Sequence, residues 1–486
     1  MFKTSLKRWT LSLAGGLLVA VLGSGVFAQD DHFDQLPDLG SQAANFLSDR
    51  EAEKLGKAFI RQSRYQQPYV SDPELVDYIN RLGNRLLEVS DDAGKDYQFY
   101  MIDNNVINAF AVPGGHIALH TAILTKSESE SELASVIAHE ISHVSQRHIA
   151  RKLENSRYDS WIALGALLAA AAAGGSDGAQ AAFGIANASI IDRQLSYSRA
   201  FEAEADSLGI RLMSRAGFDP QAMPVFFKRL LDESRINKSN APEFLRSHPL
   251  TINRIAESAA RVKSYPPAGK QDESEFLLMR AKATAGYAKN KAQIRDQYHS
   301  QIKEGDKSLP TRYGYALALS ENGEHDKARK EFAALSKDFP GNVTVRLSQA
   351  DNELYAREID TGLGMFKELY EEQIALGNHL VDIYYANALV LSKRQKTAIP
   401  ILRSAIANNP AEPYFHILLS RAYGETGDDM RAFQERGEYH YQRGNYEFAL
   451  RQFERARTLT DSSYELARLG ARIEDVEYEI EELKKL

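Results

Sequence analysis

The chain has 486 residues, 43% hydrophobic and 26% charged, a globular balance that argues against disorder and against a polytopic membrane protein and leaves room for about three domains. With 59 basic against 66 acidic residues the net charge is -7, which gives no general affinity for nucleic-acid phosphates. Cysteine is absent, so disulfides, thiol nucleophiles, thiolate-held zinc, iron–sulfur clusters and a lipidated N-terminal cysteine are excluded, and any metal must sit on His and carboxylate.

Lys3, Lys7 and Arg8 precede an apolar run from Leu11 to Leu22, and Val26, Phe27, Ala28 lead into Gln29, Asp30 and Asp31. This pattern predicts a cleavable export signal over 1–28, cut after Ala28, with an uncleaved anchor as the alternative. Asp49–Gln62 and Pro73–Glu88 read as amphipathic helices; Leu75, Tyr78, Ile79, Leu82 and Leu86 recur at helical spacing in the second. Short β-type runs at Tyr97–Ile102 and His116–His120, broken by Asn104, Asn105 and by Pro113, Gly114, Gly115, predict a small sheet. Helix returns over Ser129–Asn155. Trp161–Ala188 is rich in Ala, Gly and Leu, with no apolar run long enough to span a bilayer. It reads as a helical hairpin or lid, or as a buried Ala-rich helix pair, and a peripheral membrane contact there would be weak because the stretch has no basic residues. Helical periodicity resumes over Ser196–Arg235 with a turn at Gly217–Pro220, and the Pro/Gly loop Tyr265–Gly269 marks a domain boundary, giving 29–268 and 269–486.

Beyond that loop the chain is self-similar. Ala316, Gly323, Ala328, Phe332, Leu335 and Pro340 have the spacing of a 34-residue helix–turn–helix repeat. Ala386, Ala398, Leu402, Ala405 and Pro410 repeat it with Lys393 in place of the turn glycine, and Gly437, Gly444, Ala449, Phe453 and Ala456 form a third copy. Weaker copies lie around Ala350–Tyr370 and Leu419–Ala432. Such units cannot bury their apolar faces singly, so they stack into an α-solenoid that binds peptides or proteins.

Chemistry enters at His139, Glu140, Ile141, Ser142, His143. Residues four apart share a helix face, so His139 and His143 can present two imidazoles to one zinc ion, with Glu140 beside the position of a metal-activated water. Val136, Ile137, Ile141 and Val144 predict one buried face for this helix. Catalytic zinc takes a third protein ligand, and without cysteine the run from Phe201 to Gly209 offers Glu202 with Asp206 four residues on, with Glu204 as a competitor.

These motifs resemble the gluzincin metallopeptidases of family M48, and the whole chain resembles that family's periplasmic, repeat-bearing BepA-like group of Gram-negative bacteria. The matching residues include Leu82–Leu86, Asn108–Gly115, His139–His148, Glu202–Asp206, Ala216–Pro220, and Ser247–Leu250 with Arg254 and Ile255. The resemblance implies a mainly α chain: an α+β peptidase domain with a small sheet, followed by tetratricopeptide repeats. It implies one Zn2+ per chain held by His139, His143 and Glu202, Glu140 as general base, and Asp206 behind a ligand histidine. It also promotes His248, which in this group lies on a loop over the site and can reach the metal, restraining the enzyme. Arg254 is implied to fix that loop, to stabilise an oxyanion, or to form a structural ion pair. His116, His120 and His148 read as structural. The strand near Gly115–His120 is expected to be exposed and to hold substrate by strand addition. The implied function is periplasmic endoproteolysis, with chaperone-like activity, of misfolded or stalled outer-membrane proteins, with the repeats docking substrates or the assembly machinery. The alternative is an assembly chaperone or adaptor whose zinc site His248 largely closes.

Overall fold

The computed structural model describes residues 47–155, 198–236, 242–269, 271–408 and 412–484. The expected export signal at 1–28 and the stretch Trp161–Ala188 lie outside the described residues. Helix α1 (Asp49–Gln66) starts at a capping box, in which Ser48 Oγ accepts from the Glu51 N–H while the Glu51 carboxylate accepts from the Ser48 N–H. Helix α2 (Pro73–Leu87) begins at Asp72, whose carboxylate accepts from the Leu75 N–H, and its periodic residues Leu75, Tyr78, Ile79, Leu82 and Leu86 are all buried.

Strands β1 (Gln98–Ile102), β2 (Ala109–Val112) and β3 (His116–His120) form one sheet in the order β1-β3-β2. Strand β3 pairs parallel with β1 and antiparallel with β2, and all five of its residues are buried. The expectation of an exposed strand at Gly115–His120 is therefore corrected. A continuous run of buried side chains marks a central strand covered on both faces, and the outer strands are β1 and β2. Because the His120 N–H donates to Asn108 O, the antiparallel alternation turns the backbone groups of Ala109 and Ala111 away from β3, and the Ala111 N–H faces Glu140.

The single helix expected over Ser129–Asn155 is two. After α3 (Thr121–Lys126), α4 (Glu130–Ser145) ends at a turn where Arg147 adopts φ 52, and α5 (His148–Asn155) departs in a new direction. Hydrogen bonds from Arg147 to the Leu47 carbonyl and to Asp49 hold this left-handed residue. Helix α4 is buried on all sides from Ser131 to His143, not on one face, because it runs through the centre of the N-terminal half. Helix α6 (Arg199–Arg215) packs along it at Gly209, where a Cβ would lie 3.3 Å from the His139 backbone nitrogen. Helices α7 (Ala222–Ile236), α8 (Phe244–Ser247) and α9 (Ile252–Arg261) complete this half.

Twelve further helices follow as antiparallel pairs: α10 (Ser274–Tyr287), α11 (Lys291–Lys303), α12 (Leu309–Glu321), α13 (His325–Asp338), α14 (Val343–Tyr355), α15 (Ile359–Gln373), α16 (His379–Leu391), α17 (Gln395–Asn408), α18 (Pro413–Glu425), α19 (Asp429–Gln442), α20 (Tyr446–Arg457) and α21 (Ser463–Lys484). The repeat residues Ala316, Ala328, Phe332, Leu335, Ala398, Leu402, Ala449 and Phe453 are fully buried between helices. Lys393 takes φ 58 and Arg357 φ 67, the left-handed conformation that Gly323 takes with φ 75, so the turn survives where a lysine replaces glycine. The fold is thus mainly α, an α+β part followed by an α-solenoid.

One apolar cluster runs from Val70 through Phe276, Met279 and Ala283 to Phe332 and Val345, so helices on both sides of residues 268 and 269 share a core. Lys282 Nζ reaches Asp72 at 3.1 Å and the Tyr384 hydroxyl at 2.8 Å, and also pairs with Glu74. The far end of the solenoid returns to α1, where Lys54 pairs with Glu482 at 2.9 Å and Arg61 donates to Gly444 O at 3.3 Å.

Candidate metal centre

Helix α4 supplies His139 and His143, one turn apart, with Nε2 atoms 3.0 Å from each other. Helix α6 brings Glu202 between them, its carboxylate oxygens 3.5 Å from each Nε2. The close approach that Gly209 allows, two helical turns beyond Glu202, makes this possible. His248, at the C-terminal end of α8, enters from the opposite side; its Nδ1 lies 3.1 Å from Glu202 and 3.2 Å from His139, and its Nε2 lies 3.3 Å from Glu140. One donor atom from each of His139, His143, Glu202 and His248 falls within 4.8 Å of every other. All four residues are buried.

Behind this cluster, His139 Nδ1 faces Asp206 Oδ1 at 3.1 Å. Arg254 holds Asp206 with two bonds, Nε at 2.9 Å and Nη2 at 2.8 Å, donates from Nη1 to Pro249 O at 2.9 Å and pairs with Glu202 at 2.7 Å. Its guanidinium is therefore spent on two carboxylates and on the loop that carries His248, which favours the bracing reading over an oxyanion donor. Glu204, two residues from Glu202, points elsewhere, to His148 at 3.2 Å and Arg151 at 3.0 Å. Residues two apart on a helix face away from each other, so only Glu202 reaches the cluster.

Burial and charge oppose each other throughout the cluster. Burial disfavours charge on His139, yet the Asp206 and Glu202 carboxylates beside it raise its pKa to about 9. Burial also opposes the charge on Glu202, but His248 and His139 hold it well below the ordinary carboxylate range. Burial pushes Glu140 up, while the His248 and His139 charges and the Ala111 backbone N–H oppose that rise. With Asp206 and His148 at the Nδ1 atoms, the two Nε2 atoms turn toward each other and toward the Glu202 carboxylate. Tetrahedral coordination at 2.0–2.1 Å sets ligand atoms about 3.3 Å apart, and the His139, His143 and His248 nitrogens lie 3.0–3.2 Å apart where they adjoin, with Glu202 oxygens 3.1–3.5 Å from them. These residues fit a divalent metal.

His143, Ala111 and Val112 also line a cavity of about 720 Å3 that extends past His116 and Tyr100 to Arg443 of the solenoid. The candidate metal centre and the solenoid thus border one cavity.

Residues 73–262 match the model of peptidase family M48. The chain is 31% identical over 483 residues to the beta-barrel assembly-enhancing protease of Escherichia coli (strain K12), covering 98% of this chain and 97% of that one. It is 35% identical over 457 residues to the putative beta-barrel assembly-enhancing protease of Vibrio cholerae, covering 92% and 93%. A mitochondrial metalloendopeptidase, OMA1 of Schizosaccharomyces pombe, is 34% identical over 178 residues, covering 37% of this chain and 50% of that one. This chain is a metalloendopeptidase that belongs to peptidase family M48 and, within it, to the family of the beta-barrel assembly-enhancing proteases.

Proposed function

We propose that this is a zinc-dependent endopeptidase of the periplasm that degrades misfolded or stalled outer-membrane β-barrel proteins and whose repeats dock substrates or the assembly machinery, with chaperone-like effect. The observation that carries the reading is the convergence of His139, His143 and Glu202 beside the buried Glu140 carboxylate, in a chain whose relatives bear the name beta-barrel assembly-enhancing protease. The N-terminal pattern ending at Ala28 supports export, with 29–268 as the peptidase and 269–486 as the docking part.

His139, His143 and Glu202 would hold the zinc. When bound there, it would polarise the scissile carbonyl and make a nearby water more acidic. Glu140, raised by burial, takes the proton from that water as general base and hands it to the leaving amine. Asp206 orients His139, and Arg254 fixes Asp206 and the Pro249 carbonyl. Substrate enters along the cavity lined by Ala111 and Val112 of the outer strand β2, next to Glu140. His248 acts as a fourth donor that covers the water position and restrains the enzyme until its loop moves.

The purified full chain loaded with zinc should cleave an unfolded β-barrel protein, and Glu140→Gln should lower the rate about 10²–10⁴-fold with metal content unchanged. Undiminished cleavage by that variant would sink the assignment. A second reading, an assembly chaperone or adaptor, is favoured by the burial of His248 in the cluster. Full rescue of a deletion strain's envelope defect by Glu140→Gln would select it. His248→Ala should raise peptidase activity, and no increase with zinc still bound would remove the self-restraint.

A further inference from the structure

The hydrogen-bonded chain behind His143 extends beyond the four donor residues. His143 Nδ1 lies 2.8 Å from Nδ1 of His148, and His148 Nε2 lies 3.2 Å from Glu204 Oε2. Arg151 Nη1 donates to the same Glu204 oxygen at 3.0 Å. Both imidazoles are fully buried, while Glu204 is half-buried. On an unbroken helix, a residue five positions after His143 would sit about 140° round the axis and could not touch its ring. The left-handed turn at Arg147 folds His148 back onto it.

We propose that His148, with Glu204 behind it, is a positioning residue that fixes the tautomer and orientation of His143 for metal binding. The proposal rests on His143 being a metal ligand. With Nε2 turned toward His139 and Glu202, the His143 proton sits on Nδ1 and is donated to Nδ1 of His148. That assignment puts the His148 proton on Nε2, where it is donated to the Glu204 carboxylate. Each ligand imidazole then has an anion at its back: His139 meets Asp206 directly, and His143 meets Glu204 through one intervening ring. The two carboxylates stand two residues apart on α6, and each is held by an arginine, Asp206 by Arg254 and Glu204 by Arg151. Outer partners of this kind are worth about 10–100-fold in metal affinity.

A packing role can be separated from this one. His148 stacks on Phe201 with centroids 4.5 Å apart and planes 12° apart, a contact that another aromatic ring would keep. The experiment is Co2+ titration of the metal-free full chain, read by competition with a chromophoric chelator and by the visible Co2+ spectrum. His148→Phe should weaken binding about 10–100-fold and change the spectrum. His148→Asn, whose amide can reach the place of Nδ1, should recover most of the loss, and the metal-free melting temperatures should agree among the three. Glu204→Ala, at a half-buried position, should weaken binding in the same direction even where His148→Phe fails to fold. Wild-type affinity in His148→Phe or in Glu204→Ala, or an Asn variant as weak as the Phe variant, would overturn the proposal. A wild-type chain that binds no Co2+ would instead overturn the underlying metal-site reading.

Discussion

Arg254→Met removes the guanidinium but keeps an alkyl stem of similar length. Four contacts disappear: two bonds to Asp206 at 2.9 and 2.8 Å, one to Pro249 O at 2.9 Å and the pair with Glu202 at 2.7 Å. Burial opposes the charge on Asp206, and hydrogen bonds from His139 and Arg254 overcome this to hold it below its ordinary value. Stripped of Arg254, two buried carboxylates lose their countercharge, which costs about 3–5 kcal/mol when one member of a buried pair is removed. At about 1.4 kcal/mol per tenfold, that is a shift of two to almost four decades in the folding equilibrium. A divalent metal restores a positive partner to Glu202 but not to Asp206. The loss measured by urea unfolding should therefore be larger in EDTA than at saturating Zn2+. Arg254→Lys should recover only part of it, because an ammonium cannot reproduce the two-bond grip on Asp206. A penalty under about 1 kcal/mol in EDTA, or equal penalties in the two conditions, would refute the bracing role.

Gly56→Ala should destabilise the peptidase half by about 1–3 kcal/mol. Its Cβ would fall 2.1 Å from Pro113 O and 2.3 Å from His116 Cδ2, so α1 must lift from the sheet; an unchanged melting temperature would contradict this close approach. His379 Nε2 meets Asp77 Oδ1 at 3.2 Å, joining α16 to α2, and that hydrogen bond raises the His379 pKa. A histidine raised in the folded state stabilises fully below its unfolded value of about 6.5 and loses that contribution as pH rises through the folded value. Stability should accordingly fall from pH 6 toward pH 8, and less steeply in His379→Ala; identical pH profiles for the two would refute the linkage.

The local part of the centre was legible because its geometry is carried by one helix. His139 and His143 are four residues apart, and any α-helix puts them on one face. The repeats were legible for a similar reason, since each small or aromatic position recurs at a fixed interval along the chain. The strand order was not. His116–His120 reads as an isolated β run, and only its pairing with both β1 and β2 makes it central. Its continuous burial is a signal that the two histidines at its ends obscured. Nor did the pattern reveal the helix break at Arg147, which carries neither glycine nor proline and is held by partners about 100 residues away, so His148 was read as structural.

The amino-acid order alone therefore determined that His139 and His143 share a helix face with Glu140 beside them, and the repeat architecture, all products of helical periodicity within short segments. The residues alone left Glu202 and Glu204 as rivals, and a family resemblance chose between them. The tertiary structure supplies the physical cause: Gly209 lets α6 approach α4 closely enough for Glu202 to enter the cluster while Glu204 turns to His148. The convergence of Arg254, His248 and His148 on the same few ångströms belongs to the tertiary structure as well. Those contacts join residues from different segments, up to 109 positions apart in the chain, and helix packing and backbone turns bring them together.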